Sequence, residues 1–525
     1  MRTFTLLTCL LGAGISACAQ APALSKPGAD TYGNSITAAD LKKHLYFIAG
    51  DKTEGRETAT KGQRVAAAYI AAHFKKLGLK PGVNGKWEQF FSMVQDTVTS
   101  STLSVGRQTF TFGKDYVANV RETAAQDINN ASLVFAGYGI STEEHDDYKN
   151  LGDLNDKVVV VLEGEPRDAD GNYPLTKSKR PSPNSEIKAK ARAAGGKGVK
   201  ALFVISSRLA DPNMAKYLVQ SYTKSRVYMK ENLMTTMEYI PNSYLVTPTF
   251  VETVFGKAVA DSMIASVKAG RAYTSAASGP VNLTFKKGQI DNKSSNVLGY
   301  LEGTDKKDEI LFVTAHYDHL GKHDGKIFYG ADDDGSGTVA VMEMAEAFAK
   351  AKKAGKGPRR SIVFMTVSGE EKGLLGSKYY TDNPIYPLAN TVADLNIDMI
   401  GRIDPQHASD SNYVYVIGDD KLSSDLRPIS ELANNTYTKL DLDYRYNDPN
   451  DPNRFYYRSD HYMFAQHKIP IIFYFNGVHA DYHKETDTVE KISYQMLQKR
   501  ARLVFYTAWE IANREDRLKV DRNEK

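Results

Sequence analysis

From about residue 294 onward, short apolar runs alternate with amphipathic stretches, and this alternation constrains the fold more than any other feature of the sequence. The apolar runs predict β-strands, and the stretches between them keep helical spacing. Strands that alternate with helices form an α/β fold, a mixed but mainly parallel sheet with helices on both faces. The predicted strands cover residues 296–301, 310–314, 361–367, 392–397 and 470–475, and the predicted helices cover residues 337–351, 374–380, 423–435 and 489–513.

The chain has 525 residues, a length that favours two domains. After two predicted amphipathic helices near the N-terminus, the pattern changes at about residue 119 to short β runs such as KVVVVL. This stretch carries no cluster of His and carboxylate side chains, so we do not expect it to be catalytic. We predict a discontinuous domain of residues 33–118 and 289–520, interrupted by an insert of residues 119–288 that is either α/β or β-rich.

The first twenty residues are typical of a secretory signal, with Arg2 ahead of a short apolar run at 4–14. We predict that residues 1–19 are removed and that the protein is exported to the periplasm, secreted or held as an outer-membrane lipoprotein. The letters ISAC resemble a lipobox, which would place a lipid anchor on Cys18, whereas ACA fits ordinary signal cleavage; both alternatives stay open. No later segment approaches the ~18 to 20 apolar residues that span a bilayer.

Cysteine and charge composition limit the chemistry. Cys9 and Cys18 are the only two cysteines, and both lie in the signal segment, so the mature chain has no disulfide and no thiolate ligand or nucleophile. The formal net charge is +4, and the sequence lacks a basic run with interleaved aromatic residues, so we predict no nucleic-acid partner. Any bound metal must therefore be held by His and carboxylate side chains.

Five groups of acidic or His residues follow successive predicted strands. Each motif alone is weak, because a His-x-Asp pair, an Asp run or a Glu pair is more often ordinary surface or loop polarity. Together they predict one rim of side chains, because sheets of this kind place their sites at the carboxyl ends of the strands. Crowded carboxylates need cations, and mixed His and carboxylate ligands suit zinc, with cobalt or manganese as alternatives. The motifs, in chain order, are AHYDH at 315–319, GADDDGSG at 330–337, SGEE at 368–371, Asp398, and DYH at 481–483.

At these motifs the chain resembles the co-catalytic zinc exopeptidases typified by bacterial leucine aminopeptidases, a family that includes the glutamate carboxypeptidases. The resemblance covers residues 35–120 and 290–515, with all motifs in the family's order. The insert, with the letters AGYGI and KVVVVLEGEP, resembles a protease-associated domain. The resemblance implies an aminopeptidase that binds two zinc ions per chain and acts on peptide substrates.

The resemblance also implies a role for each motif residue. His316 and Asp398 would bind one zinc ion, Glu371 and His483 the other, and Asp333 would bridge both; Asp332 and Asp334 are the alternatives for the bridge. The peptide bond between Asp333 and Asp334 would be cis.

Catalysis would depend on two further carboxylates. Glu370 would be the general base that accepts the proton of the metal-bridging water and passes it to the leaving amine. Asp318 would accept the ring N–H of His316 and fix its tautomer. Tyr456 and Asp334 are candidate substrate contacts, Tyr456 for the tetrahedral oxyanion, and we expect His319 to lie outside the metal shell.

Two alternatives remain open at this point. A glutamate-carboxypeptidase-type hydrolase would need a basic group that holds a substrate carboxylate, and the sequence alone does not locate one. A binding or receptor module on a catalytically dead version of the fold would lack several ligands, whereas every ligand position and Glu370 are filled here. The sequence therefore favours an active two-metal aminopeptidase.

Overall fold

The computed structural model describes residue 24 and residues 26–230, 240–270 and 279–523. The predicted signal segment, including Cys18, lies outside these residues. The strands are β1 (Lys80–Pro81), β2 (Glu88–Val105), β3 (Gln108–Phe110), β4 (Tyr116–Val117), β5 (Gln126–Ala131), β6 (Leu133–Phe135), β7 (Val158–Leu162), β8 (Ala201–Ile205), β9 (Tyr228–Met229), β10 (Asn242–Val246), β11 (Val281–Leu301), β12 (Lys306–His316), β13 (Gly321–His323), β14 (Lys326–Phe328), β15 (Arg360–Val367), β16 (Thr391–Ile397), β17 (Tyr413–Ile417), β18 (Asp441–Asp443) and β19 (Ile471–Phe475). The helices are α1 (Ala29–Gly33), α2 (Ala38–Ile48), α3 (Lys61–Leu77), α4 (Ile187–Gly195), α5 (Pro212–Thr223), α6 (Pro248–Phe255), α7 (Lys257–Lys268), α8 (Gly337–Lys353), α9 (Leu375–Asp382), α10 (Leu426–Ala433), α11 (His461–Gln466) and α12 (Tyr494–Asn513).

The chain divides into two compact units. The first, which we call the main unit, is Met1–Phe91 with Ser294–Lys525, and the second, the insert unit, is Ser92–Lys293. The sequence predicted the boundaries at 118/119 and 288/289. The structure moves the first one to residue 92 because β2 is one continuous strand whose residues beyond that point pair with β3 and β9 of the insert unit.

A mixed sheet organises the main unit. Its strand order is β18-β17-β19-β16-β12-β15-β11, and β1 pairs with the end of β11. The central pairs β12/β15, β12/β16 and β16/β19 are parallel, whereas β11/β15 and β17/β19 are antiparallel. The predicted fold class is thus confirmed. The sequence analysis missed β17, whose continuous apolar run YVYVI lies in the sheet between β18 and β19.

Alternate residues of the central strands feed two separate cores, as the strand period of two requires. Leu311 and Val313 pack on one face of the sheet with residues of α2, α3, α8 and α12, whereas Phe312 packs on the other face with residues of α9 and α11. On the first face the fully buried Trp509 of α12 stacks on Phe348 of α8, with ring centroids 5.8 Å apart. Helices therefore cover both faces, and the strand ends are left as the place for polar side chains.

The insert unit has its own sheet in the order β4-β10-β8-β7-β6. The strands β6, β7, β8 and β10 run parallel, and β4 is antiparallel to β10. Helices α4 to α7 accompany this sheet, so the unit is α/β rather than purely β-rich. Its resemblance to a protease-associated domain stays a prediction. Among the described residues of the whole chain, no helix combines the length and the apolar character that crossing a membrane requires.

Candidate metal centre

His316 ends the central strand β12, where the parallel register places it opposite Val367 of β15. The Nδ1 atom of its ring lies 3.1 Å from the main-chain carbonyl oxygen of Asp318, which fixes that nitrogen as the donor. The other nitrogen, Nε2, therefore carries the lone pair. It faces Asp333 Oδ1 at 3.3 Å and Asp398 Oδ1 at 3.5 Å.

Asp333 lies in an irregular turn, Ala331–Ser336, just before helix α8. The turn begins at Gly330, whose φ is 56° and whose Cβ, if it had one, would lie 2.4 Å from the His319 ring. The two carboxylate oxygens of Asp333 diverge: Oδ1 faces His316, and Oδ2 lies 3.1 Å from His483 Nε2. The peptide bond between Asp333 and Asp334 is cis, as the resemblance implies.

Glu371, after strand β15, completes the second half of the cluster. Its Oε2 lies 3.4 Å from His483 Nε2, and its Oε1 lies 2.8 Å from Nδ1 of the fully buried His319. The structure thus brings together all five predicted ligands, divided into His316 with Asp398 and His483 with Glu371, with Asp333 between them. His319, which we expected outside the metal shell, contacts this second half directly.

These side chains fit a pair of metal ions. His316 Nε2, Asp398 Oδ1 and Asp333 Oδ2 are buried, and no hydrogen bond to them is found within the part of the chain that the structure describes. Buried polar atoms of that kind are rarely left without partners. Their mixed nitrogen and oxygen character suits zinc.

Asp332 and Asp334 are less suited than Asp333 to bridge two ions. Asp332 accepts from the Gly401 amide at 2.6 Å and faces His479, away from the cluster. Asp334 does lie within 4.8 Å of His316 and Asp398. However, its Oδ1 already accepts from two backbone amides, those of Gly337 and Met399, at 2.8 and 3.1 Å. Only Asp333 places one oxygen toward each half of the cluster.

The predicted base Glu370 lies beside the cluster, with its Oε2 3.9 Å from His316 Nε2. Its amide donates to Asp318 Oδ1 at 3.3 Å, and Thr58 donates to Asp318 Oδ2 at 2.6 Å. The sequence assigned the ring N–H of His316 to the Asp318 carboxylate. The structure corrects this, because that carboxylate is 3.8 Å from Nδ1 and the Asp318 carbonyl is closer.

The electrostatics of the cluster show why cations are needed. Burial lowers the pKa of His316, but Asp398 and Glu370 outweigh it and hold that pKa well above its usual value. Burial, partly offset by His316 and reinforced by Glu371, raises the pKa of Glu370 well above that of a free carboxyl group. Without cations, some of these acids would hold protons, whereas divalent ions would keep them ionised.

Arg56 is a functional residue that the sequence analysis missed. Its fully buried guanidinium donates to the carbonyls of Tyr317, Tyr329 and Gly330 at 2.8, 2.7 and 2.9 Å. It also donates to Ile48 at 2.9 Å. Arg56 therefore joins the backbone just after strand β12, at Tyr317, to the backbone at Gly330, where the turn that carries Asp333 begins. The sequence offered one signal for this role. Arg56 follows a Gly in the letters TEGR, just ahead of a predicted helix.

Two further side chains hold the ligands in place. Asp487 Oδ2 accepts from the amides of Asp332 and Asp333 at 3.0 and 3.2 Å, which fixes the backbone of the turn. Ser459 donates to Asp398 Oδ2 at 2.7 Å and so leaves Oδ1 facing His316.

A pocket opens beside the cluster. Tyr456, the predicted oxyanion contact, packs against Tyr457 and Tyr462 and is not among the lining residues, so its role stays a prediction. Tyr482, which the sequence analysis overlooked, lines the pocket and stacks on His483 with centroids 3.8 Å apart. The remaining lining residues are Asp333, Glu370, Asp398, Met399, Phe455, Arg458, Phe473, Phe475 and Val478.

Comparison with known proteins identifies the family that these motifs resemble. Residues 296–508, which hold all five predicted ligands, match the family model for Peptidase family M28. The matching family is Peptidase family M28. This match confirms the resemblance to zinc exopeptidases, and we refer to residues 296–508 as the M28 region.

Among curated proteins, the chain is similar to the probable glutamate carboxypeptidase LAMP1 of Arabidopsis thaliana, with 34% identity over 121 residues. That alignment covers 23% of this chain and 17% of the relative. It is also similar to a probable zinc metalloprotease of Pyrenophora tritici-repentis, 35% identical over 112 residues, or 20% of this chain and 22% of the relative. The chain thus spans about a fifth of the length of these relatives.

Among solved structures, the chain is similar to an aminopeptidase from Aneurinibacillus sp. strain AM-1, with a TM-score of 0.52. The alignment covers 95% of this chain and 100% of that one, at 18% identity. At this identity the likeness concerns the fold, which it supports over nearly the whole chain.

We predict that replacing Arg56 with Met removes metal as well as stability. The variant leaves at least three buried carbonyl groups without their donor, and each lost partner costs about 1–3 kcal/mol. We expect a free energy of unfolding lower by at least about 3 kcal/mol, and weaker zinc binding in a chelator competition. Arg64→Met is the control, because Arg64 donates to Ala59 at the exposed surface. Equal metal affinity in the Arg56 variant and the wild type would contradict this role.

Proposed function

We propose that this protein is an exported exopeptidase that binds two zinc ions per chain and removes N-terminal residues from peptides. The observation that carries the proposal is the carboxylate of Asp333, whose oxygens face His316 on one side and His483 on the other. A carboxylate with this arrangement suits a pair of metals about 3.5 to 4 Å apart. The match of the M28 region and the similarity of the chain to a probable zinc metalloprotease of Pyrenophora tritici-repentis support a zinc peptidase.

Each half of the cluster would bind one zinc ion. His316 and Asp398 would hold the first ion, and His483 and Glu371 would hold the second. Asp333 would bind both ions. When bound, the zinc ions would polarise the peptide carbonyl group and make the attacking water more acidic.

Glu370 supplies the proton transfer. Its carboxylate lines the pocket and lies beside, rather than within, the two ligand halves. Glu370 accepts the proton of the attacking water and delivers it to the nitrogen of the leaving amine. The amide of Glu370 donates to the carboxylate of Asp318, which lies two residues after His316. This hydrogen bond positions Glu370 next to the backbone that carries a predicted metal ligand.

The pocket supports a peptidase that holds an apolar part of its substrate beside the cluster. Phe455, Phe473 and Phe475 give it apolar walls. An aminopeptidase is the activity that we favour. A glutamate-carboxypeptidase-type hydrolase is the second candidate, because the chain is also similar to a probable glutamate carboxypeptidase of Arabidopsis thaliana.

The first test replaces each glutamate of the pair. Glu370→Gln should lower turnover about 10²- to 10⁴-fold, the contribution of a general base, and leave two zinc ions per chain. Glu371→Gln is the matched control, because it should lose one zinc ion together with activity. Elemental analysis of both variants, paired with kinetics, makes the distinction. Zinc loss in the Glu370 variant would mean that the two roles are misassigned.

The second test defines the reaction. We expect the enzyme to release leucine from leucyl p-nitroanilide and to leave N-acetyl-leucyl p-nitroanilide intact, because an aminopeptidase requires a free amine. A chelator should abolish the activity, and added zinc should restore it. Equal cleavage of the blocked substrate would exclude an aminopeptidase, and turnover that resists chelation would exclude the metal mechanism.

The third test concerns export, which the N-terminal sequence supports. In the native host, the mature protein should lack Met1 and be found outside the cytoplasm. Mass spectrometry of its N-terminus separates the two cleavage routes, since ordinary cleavage leaves Gln20 first and lipidation leaves a modified Cys18. An unprocessed protein in the cytoplasm would contradict export.

A further inference from the structure

We propose that His319 is an additional ligand of the second zinc ion, the one that His483 and Glu371 would hold. This inference rests on the proposed two-zinc function and goes beyond it, because the five ligands that the resemblance implies do not include His319. The residue ends the motif AHYDH, three positions after His316.

The ring of His319 is held inside the cluster. The residue is fully buried, and its amide donates to the carbonyl oxygen of Arg56 at 3.3 Å. On one side the ring packs against Gly330, where a Cβ atom would lie 2.4 Å from it. The missing side chain at position 330 therefore makes room for the ring beside the second half of the cluster.

The distances among the candidate ligand atoms are those of groups that can share one ion. Nδ1 of His319 lies 2.8 Å from Glu371 Oε1 and 3.8 Å from Asp333 Oδ2. Nε2 of His483 lies 3.1 Å from Asp333 Oδ2 and 3.4 Å from Glu371 Oε2. Zinc binds nitrogen and oxygen at about 2.0–2.2 Å, so two ligands of one ion lie no more than about 4.4 Å apart. Each of these separations meets that condition.

The short contact between His319 and Glu371 is not a hydrogen bond. Among the residues that the structure describes, neither ring nitrogen of His319 has a hydrogen-bond partner, and neither has Glu371 Oε1. At 2.8 Å, the contact thus has the length of a hydrogen bond but not its direction. A cation that binds both atoms lies to one side of the line that joins them. Coordination therefore accounts for the contact and supplies the partner that these buried atoms otherwise lack.

An additional imidazole changes the character of the second half. With His319 and His483, this half offers two nitrogen ligands beside its carboxylates. Imidazole suits zinc, whereas carboxylate and water suit manganese and magnesium. We therefore expect the second half to be the more selective for zinc.

The first test is a crystal structure of the zinc-loaded enzyme. We expect a zinc ion at about 2.0–2.1 Å from His319 Nδ1. If both ions are present and this nitrogen lies outside bonding distance of either, the proposal is wrong.

The second test separates coordination from hydrogen bonding in solution. His319→Asn keeps an amide donor close to the position of Nδ1, but an amide is not among the usual zinc ligands. We expect this variant to bind its second zinc ion more than about 100-fold more weakly in a chelator competition, because the loss of an outer contact costs only about 10- to 100-fold. A smaller loss would overturn the proposal.

His323→Asn is the matched control. His323 is exposed, and its Nε2 lies 2.6 Å from the carbonyl oxygen of Leu320, so this variant should bind both ions like the wild type. An equal loss of zinc in the control would contradict the role of His319. Wild-type enzyme that binds no zinc would overturn the two-zinc function as well. Wild-type enzyme that binds two ions and cleaves leucyl p-nitroanilide, with His319 outside bonding distance, would overturn this inference alone.

Discussion

The crowding of carboxylates at one end of the central sheet is the constraint on which the rest of the main unit depends. Asp333, Glu371 and Asp398, which are largely buried, converge with His316 and His483, and such a group is unfavourable unless cations neutralise it. The same crowding that opposes folding in the absence of metal provides the ligands when metal is bound. Metal binding and stability of this region are therefore linked.

The protein holds this arrangement from outside the ligand set. Arg56 ties the loop after β12 to the turn before α8 through backbone carbonyls, and Asp487 fixes the amides of that turn. Ser459 orients Asp398 in the same way. Each of these contacts fixes the position of a predicted metal ligand without itself contacting the metal. Because a ligand displaced by one ångström no longer fits a metal, such contacts matter as much as the ligands do.

The two sides of the cluster differ in solvent exposure, so the site is open on one side only. His316 is fully enclosed at the end of β12, whereas the side chain of His483 is 39% exposed and stacks on Tyr482 at the pocket. The pocket beside His483 therefore leads between aromatic side chains to Glu370, with Arg458 among its lining residues. In small-molecule pockets, apolar side chains usually provide most of the contact area, and a few polar groups orient the ligand. The lining of this pocket has both kinds of side chain.

The sequence by itself determined the parallel sheet, its strand ends and the residue types gathered there. Local pattern suffices for these, because strand periodicity and the alternation with helices are properties of neighbouring residues. Cysteine usage alone also restricted the ligands to His and carboxylate side chains, because both cysteines lie in the predicted signal segment. Local pattern did not reveal β17, the first boundary of the insert unit, or the donor to each oxygen of the carboxylates.

Only the tertiary structure decided which oxygen faces which partner. Asp333 reaches both His316 and His483, and the Asp318 carbonyl rather than its carboxylate contacts the His316 ring. Arg458 lines the pocket. These arrangements depend on residues that are far apart in the chain. Arg56 contacts loops more than 260 positions away, at separations of 261, 273 and 274 residues. Such contacts leave no periodic trace in the sequence, because they are set by how the strand ends and loops pack and not by local backbone preference.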